Sequence, residues 1–279
     1  MTPAALGLTL ASALLHAAWN ALLKRAKDLD AASVLVFGTA LLLMALLAWV
    51  WPSPAFPRMA ALGWALAAGC GEGGYFIGLV GSLERASLGW SYAWMRGGAL
   101  LVAWPAGLLL GEKADGWALL AVAGMLAGLG LLGLGGGERG SGRALPHVLG
   151  AAVSIAGFNA CYKLALGADA SPPALFATSM AVGLPIQALH RRWRRGAGVS
   201  AWKGSVAAGL GAGLVCAGAF LCYLVALQTS PSASVLTIRN TSIAFTFLVG
   251  WLLGERPRPR QVAGILLVCF SAILLGWPR

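Results

Sequence analysis

Two arginines, Arg96 and Arg239, lie inside long apolar segments, 143 residues apart. Fifteen residues after each comes a Gly-Glu-basic motif, at positions 111–113 and 254–256. A charged side chain in a membrane helix costs roughly 2.5–3.5 kcal/mol on insertion scales, so such residues usually mark a functional site. The guanidinium is a rigid fork of donors that suits a carboxylate. The pair could therefore bind an anionic substrate, or could lock helices together through carbonyls or an acid.

Glu72 is the only acidic residue deep within an apolar segment, and it lies in the glycine-rich run 69–75. Its carboxylate could carry a proton for coupled transport, accept a substrate amine, or neutralise Arg96. The run is no phosphate-binding loop, because no strand or soluble βαβ unit surrounds it. The glycines instead predict close helix packing or a local break in a membrane helix.

The tyrosines lie within apolar segments, whereas interfacial belts hold tyrosine at segment ends. Tyr92 precedes Arg96 by one helical turn, and Trp94 follows Trp90 at the same spacing. An aromatic cavity with few polar groups would accept an apolar or aromatic solute. Packing between helices is the other explanation. All four tyrosines belong to this set: Tyr75, Tyr92, Tyr162 and Tyr223.

An aromatic-Asn-Ala-x-x-Lys motif occurs twice, at residues 19–24 and 158–163. Asn20 and Asn159 indicate hydrogen bonds between helices or a place in the substrate site. The lysines that end the two motifs compensate helix dipoles or extend to the membrane surface. His16, one turn before Asn20, could titrate near neutral pH or be a hydrogen-bonded core residue.

The segments that position these residues are membrane helices. The chain is 59% hydrophobic and 10% charged, whereas a soluble domain has about 25% charged residues. A helix needs about 20 apolar residues to cross the bilayer. Ten runs qualify and predict an all-α membrane protein, at 4–24, 31–51, 59–81, 87–110, 115–134, 146–166, 172–190, 203–227, 232–253 and 260–277.

The matching motifs divide the single domain, 1–279, into two repeats of five helices, 1–138 and 143–279. Because five is odd, the second repeat enters the membrane inverted relative to the first. This is the plan of many secondary transporters, whose substrate site lies near mid-membrane between the repeats. Inversion places Arg96 and Arg239 at mirrored depths, and we expect their guanidinium groups at opposite ends of one cavity.

The basic residues predict the orientation. Loops on the side of the N-terminus hold three, and loops on the opposite side hold fourteen. The positive-inside rule makes the second side cytoplasmic and both termini periplasmic in a bacterial inner membrane. Because the net charge of +11 is spread over these loops, no soluble basic surface is left to bind nucleic acid.

No catalytic or metal motif is present. HExxH, GxSxG and Walker A patterns do not occur, the three histidines are scattered, and the five cysteines form no CxxC pair. A membrane enzyme acting on lipid-linked substrates would need a clustered acid, base or metal set. We therefore expect neither an enzyme nor a cofactor.

Several of these residues support a family resemblance. The chain resembles the drug/metabolite transporter superfamily, of the ten-helix type with two EamA-like repeats. The resemblance rests on the Leu-Leu-Gly-Glu copies at 109–112 and 252–255, the glycines of the helix after each, and the run Arg239-Asn240-Thr241-Ser242. It implies a central cavity formed by helices 1, 3, 4, 6, 8 and 9, with helices 5 and 10 peripheral.

Within the superfamily, the chain is similar to bacterial amino acid exporters, including those of the YddG type. Small multidrug exporters of the superfamily use a glutamate in their first helix, and the first span here has none. Glu72 would have to replace it, or transport is facilitated diffusion.

The sequence therefore predicts a transporter that exports amino acids, aromatic or hydrophobic ones above all, or related metabolites by alternating access. The alternative is a proton-coupled exporter of drugs or cations. We expect a monomer or weak homo-oligomer among membrane lipids. The predicted substrate-binding residues are Trp19, Asn20, Glu72, Tyr75, Tyr92, Trp94, Arg96, Phe158, Asn159, Tyr162, Tyr223 and Arg239.

Overall fold

A computed structural model describes residues 1–86, 88–109, 111, 115–133, 141–195, 202, 204–252 and 258–276. All regular secondary structure in this part is helical. The helices are α1 (Pro3–Lys24), α2 (Leu29–Val50), α3 (Met59–Leu83), α4 (Leu88–Leu109), α5 (Gly116–Gly133), α6 (Ser141–Gly167), α7 (Pro172–Arg195), α8 (Val206–Thr229), α9 (Ser232–Arg239), α10 (Ser242–Leu252) and α11 (Pro259–Gly276).

Local sequence explains where the first helices start. Thr2 accepts a hydrogen bond from the Ala5 amide, and Pro3 follows at the first helical position. Asp28 caps α2 in the same way through the Ala31 amide, at 3.0 Å. Both contacts satisfy donors that a helix leaves free at its N-terminus.

Over the residues that the structure describes, each of the ten predicted spans forms helix, with one difference. The ninth consists of two helices, α9 and α10, interrupted at Asn240 and Thr241. The Thr241 hydroxyl donates to the Ile238 carbonyl at 2.8 Å, and the Thr241 amide bonds the same carbonyl. Short polar side chains compete in this way with regular helical bonding, which explains the interruption directly after Arg239.

Five helices are long and apolar enough to cross a membrane by length and composition: α1, α2, α6, α7 and α8. Two more, α5 and α11, are apolar but shorter over their described residues. Together with the all-helical fold, these helices make the chain a multi-pass membrane protein.

The packing of the helices repeats between the two halves. The pairs α1–α8 and α3–α6 correspond when α1 to α5 are exchanged with α6 to α11, taking α9 and α10 together. The pairs α2–α8 and α3–α7 correspond in the same way, and α2–α7 and α5–α11 each map onto themselves. This is the arrangement expected of two inverted five-helix repeats around a two-fold axis.

Glycines bring α3 close to its neighbours. A Cβ atom added at Gly69 would lie 2.7 Å from the Ser179 carbonyl of α7. One added at Gly78 would lie 2.6 Å from the His147 carbonyl of α6. The predicted role of the run around Glu72 in close packing is confirmed, and this packing directs the Glu72 side chain toward α6.

Three predicted features lie outside the described residues. They are the Glu-Lys part of the first Gly-Glu-basic motif, at 112–113, the whole of the second, at 254–256, and most of the segment between the repeats, at 134–140. Gly111 itself is described and has φ +83°, a left-handed conformation that glycine adopts readily after a helix end.

Candidate functional site

Four ionisable side chains are buried together where the two repeats meet. They are Arg96 of α4, Arg239 of α9, His16 of α1 and Glu72 of α3, and all four are at most 2% exposed. Charged groups in a membrane interior mark a substrate or ion pathway by default.

His16 connects the two arginines. Its Nε2 atom contacts Nη2 of Arg96, and its Nδ1 atom lies 3.1 Å from Nη2 of Arg239. The Trp19 indole also donates to Nδ1, at 3.1 Å. Three of the predicted substrate-binding residues, from α1, α4 and α9, therefore contact the same imidazole ring.

The prediction that the two guanidinium groups lie at opposite ends of a cavity is wrong. Arg96 and Arg239 are on different helices of different repeats, yet both contact the same imidazole. The arginine side chain is long, so each guanidinium extends from its helix back to the axis between the repeats. The two charges form one centre.

Glu72 is held by a tyrosine of the other repeat. The Tyr162 hydroxyl donates to Oε1 of Glu72 at 3.0 Å, while Oε2 has no hydrogen-bond partner among the described residues. No ion pair joins Glu72 to Arg96 or Arg239 within the described part of the chain. The structure therefore does not show the direct ion pair between Glu72 and Arg96 that was one of the alternatives above.

Aromatic rings cover the cationic groups. The Arg239 guanidinium carbon lies 4.5 Å from the Phe220 ring centre and 4.3 Å from that of Tyr223. The corresponding distance from Arg96 to Tyr92 is 5.9 Å, which confirms that these two share a helical face. Cations stack on such faces favourably when water is excluded.

The aromatic walls follow the two-fold axis. Trp19 and Phe37 both contact Phe76, at ring distances of 5.5 and 4.6 Å. In the second repeat, two phenylalanines contact Phe220 in the equivalent way, at 6.3 and 4.4 Å. These two are Phe158 and Phe176. Tyr75 contacts both Phe76 and Phe158, and so bridges the two groups.

The repeated asparagines make the same bond in each half. Asn20 donates to the His16 carbonyl and Asn159 to the Ile155 carbonyl, both at 2.7 Å. Asn159 also accepts from the Tyr223 hydroxyl of α8, which confirms an interhelical bond for this residue. Oδ1 of Asn20 has no partner among the described residues, so the two asparagines differ in what they offer a ligand.

The repeated lysines cap neighbouring helices. Lys24 donates to the Leu83 carbonyl at the end of α3, at 2.6 Å. Lys163 donates to the Leu227 and Ser230 carbonyls at the end of α8, at 2.9 and 2.7 Å. Each lysine thus compensates the dipole of the helix beside it, and compensation of the helix that it ends stays a prediction.

Trp94 differs from the other candidates. It is 36% exposed and packs on the buried Trp90, with ring centres 6.1 Å apart. Residues two apart on a helix point about 200° apart, so Trp94 faces away from Tyr92 and Arg96. The other eleven predicted residues are buried.

Two residues of the centre, His16 and Phe220, are not among the predicted substrate-binding residues. For His16 the sequence predicts either titration near neutral pH or a hydrogen-bonded core position, because a lone histidine gives no stronger signal. The symmetry of the repeats is the signal that could identify Phe220, since it packs in the second repeat as Phe76 does in the first.

The centre combines cationic groups that suit a carboxylate with aromatic rings that suit an apolar group. Two arginines face one glutamate, so the buried charge is positive in excess. The rings offer apolar walls, and the side chains come from α1, α3, α4, α6, α8 and α9. These are the helices that the family resemblance implies. Among the described residues no group of histidine, cysteine or acidic side chains could hold a metal ion.

Comparison with known proteins supports a transporter. Residues 143–277 match the EamA-like transporter family, a family of membrane transporters with repeats. The chain thus has an EamA-like domain over its second repeat, and the predicted resemblance is confirmed there at the level of the family. No curated protein matches the chain in sequence.

Solved structures support the fold. Twenty-eight chains match. One of them, the crystal structure of a protein, is 16% identical, with a TM-score of 0.76 over 97% of this chain and 97% of its own. At this identity the likeness concerns the fold alone.

Proposed function

We propose that the protein is a secondary transporter of the bacterial inner membrane that exports amino acids, or related small metabolites, by alternating access. Aromatic and hydrophobic amino acids are the favoured substrates. The main support is the buried centre, where Arg96 and Arg239 outnumber Glu72 beneath aromatic walls. A carboxylate satisfies this excess of donors better than a cation does.

Each end of an amino acid has a partner in this proposal. The carboxylate binds the two guanidinium groups, whose fork geometry suits it. The ammonium group binds Oε2 of Glu72, which has no other hydrogen bond among the described residues. The side chain of the amino acid packs against Phe220 and Tyr223 of the second repeat and against Tyr75 of the first.

The surface and the loops support the membrane setting. Large apolar side chains such as Trp49, Leu109 and Met59 are at least 80% exposed, as lipid contact requires. The loop charges favour both termini on the periplasmic side. A reporter that is active only in the cytoplasm is expected to stay inactive when fused to the C-terminus. A monomer or weak homo-oligomer fits a chain that itself contains both repeats.

The experiment is uptake of labelled amino acids into liposomes that contain the purified full chain. Saturable flux of aromatic amino acids above that of protein-free vesicles is expected, with and without a pH gradient. The exposed pair Arg58–Asp169 supplies a control, since Arg58→Gln should leave flux unchanged. The absence of flux for every amino acid tested contradicts the proposal.

A proton-coupled exporter of lipophilic cations is the second candidate. It is favoured by one observation, the buried carboxyl of Glu72 with an unpaired oxygen. It predicts that Glu72→Gln abolishes efflux driven by a pH gradient and that lipophilic cations bind. The two arginines of the same centre oppose it, because they repel a cation at close range.

A further inference from the structure

The His16 ring faces three groups that can only donate hydrogen bonds. The Trp19 indole and the Arg239 guanidinium both approach Nδ1 at 3.1 Å, and the Arg96 guanidinium approaches Nε2. Neither an indole N–H nor a guanidinium has an acceptor lone pair. All hydrogen bonds at this ring must therefore be accepted by His16.

No protonation state of the ring meets that demand. A neutral imidazole has one acceptor nitrogen and one N–H group, and a protonated one has no acceptor. At least one guanidinium group therefore faces an N–H group. Such a contact is costly in a buried centre. In addition, Nε of Arg239 has no partner among the described residues. The centre is short of an acceptor.

His16 also departs from the symmetry of the site. The asparagines, arginines and lysines of the two repeats correspond, but the equivalent of His16 in α6 is Ile155. Both residues offer their backbone carbonyl to the asparagine one turn later. Because α6 forms this turn with an apolar side chain, the helix itself does not need histidine here.

We propose that His16 is a displaceable acceptor, whose ring occupies the position between Arg96 and Arg239 that the carboxylate of a substrate takes. A carboxylate has two oxygens with several lone pairs, enough for both guanidinium groups and the Trp19 indole. When it binds, the ring turns away. Solutes without a carboxylate leave the ring in place, so His16 determines specificity for carboxylate-bearing aromatic or apolar solutes. This inference rests on the proposed function in one respect only, that the bound carboxylate belongs to the transported substrate.

The first test uses the small number of histidines. The chain has three, so the full protein labelled with ¹⁵N-histidine in lipid nanodiscs gives three ring environments, with His147 and His190 as internal references. The probes are 3-phenylpropionate and its uncharged amide of nearly equal shape. We expect only the carboxylate to shift one ring, and His16→Gln to remove that signal. Binding of the carboxylate without a shift of the His16 ring, or no binding at all, overturns the proposal.

The second test compares affinities. His16→Ala removes the competing ring, so 3-phenylpropionate should bind about tenfold more tightly, the size expected for relief of one competing charged hydrogen bond. His16→Gln keeps one acceptor and should give an intermediate affinity. Ile155→Ala, the truncation at the equivalent position, should leave the affinity unchanged. Equal or weaker binding by the His16 variants overturns the proposal, and if the alanine variant does not fold, the glutamine variant decides.

The two proposals can fail separately. If the carboxylate shifts the His16 ring and no amino acid crosses the membrane, the transporter proposal fails and the His16 proposal survives. If amino acids cross the membrane and carboxylate binding leaves the ring signals unchanged, the His16 proposal fails and the transporter proposal survives.

Discussion

Arg239 is an almost fully buried cation of the centre, stacked over Phe220 and Tyr223 and in contact with His16. Two properties of its side chain matter for function, the charge and the planar fork. A lysine keeps the charge but loses the fork and the stacking. Substitution by lysine therefore separates a point charge from bidentate recognition.

We predict that Arg239→Lys raises the substrate concentration for half-maximal flux of an aromatic amino acid at least tenfold, or about 1.4 kcal/mol. The measurement is the concentration dependence of flux in liposomes. Arg58→Lys, which changes an exposed arginine, is the matched control. An unchanged half-saturation concentration in Arg239→Lys would show that the fork does not meet the substrate.

Glu72 provides the second residue-scale prediction. Glu72→Gln keeps an oxygen for the Tyr162 hydroxyl and removes the negative charge. We expect it to weaken competition by phenylalanine at least tenfold, about 1.4 kcal/mol, and to leave competition by 3-phenylpropionate unweakened, since that analogue has no ammonium group. Tyr162→Phe, which removes only the hydrogen bond, is the control and should have the smaller effect. Equal losses for both ligands contradict an ammonium site at Glu72.

At this scale the sequence predicted which residues are special but not where they meet. Arg96, Arg239 and Glu72 were identifiable because charge is rare and costly in apolar segments. Their convergence on His16 depends on how far long side chains extend and on how α1, α4 and α9 are rotated about their axes. Neither quantity is encoded in local spacing. Trp94 shows the same limit, since its pairing with Trp90 was visible and its exposed face was not.

At the scale of elements, hydropathy located the helices well because a bilayer requires long apolar runs whose backbone bonds are internal. It could not locate the interruption of the ninth span. Asn240, Thr241 and Ser242 lie within an otherwise apolar run, and the Thr241 side chain alters the backbone bonding of a single turn. The same turn follows Arg239, so the interruption adjoins the site.

The pairing of α5 with α11 gives a prediction at this scale. A Cβ atom at Gly128 would lie 2.8 Å from the Gly264 carbonyl, whereas one at Gly130 on the same helix would meet nothing within 4 Å. Gly128→Ala should destabilise the protein by about 1–3 kcal/mol through overpacking. Gly130→Ala should be neutral or stabilising by up to about 1 kcal/mol. Thermal unfolding of both variants in detergent is the measurement, and equal midpoints contradict the close packing.

The whole molecule differs at its two ends. At one end, Arg194 of α7 bonds Asp30 of α2 and Glu84 beyond α3, at 3.1 and 2.7 Å. At the other end, Arg58 and Asp169 form a largely exposed ion pair. Exposed pairs of this kind contribute little to stability. Alternating access requires each end to open in turn. Among the described residues, the ion pairs at the first end are the more buried ones, so that end is closed more firmly.

We therefore predict that Asp30→Asn loosens that end by about 1–3 kcal/mol, the cost of leaving a buried charged bond unmade. Hydrogen exchange measured by mass spectrometry should speed up in peptides from the start of α2 and the end of α7. Asp169→Asn at the opposite end is the control and should change exchange little. If both variants behave alike, the two ends are closed equally firmly.

The inverted repeats were predictable at this scale, because matched motifs and an odd number of spans suffice to infer them. The substrate is a different matter. The two repeats share a symmetric frame, but three residues of the site have different counterparts in the other repeat. The positions equivalent to His16, Glu72 and Tyr162 hold Ile155, Cys216 and Leu23. In the proposed function, specificity arises from these departures, whose combined geometry appears only in the folded chain.

The most direct test of the central claim is competition for the flux of labelled phenylalanine into liposomes that contain the full chain. We expect saturable flux, inhibited by tryptophan and by 3-phenylpropionate and insensitive to a lipophilic cation. Flux no greater than in protein-free vesicles, or flux inhibited by the cation and not by the carboxylate, would contradict it.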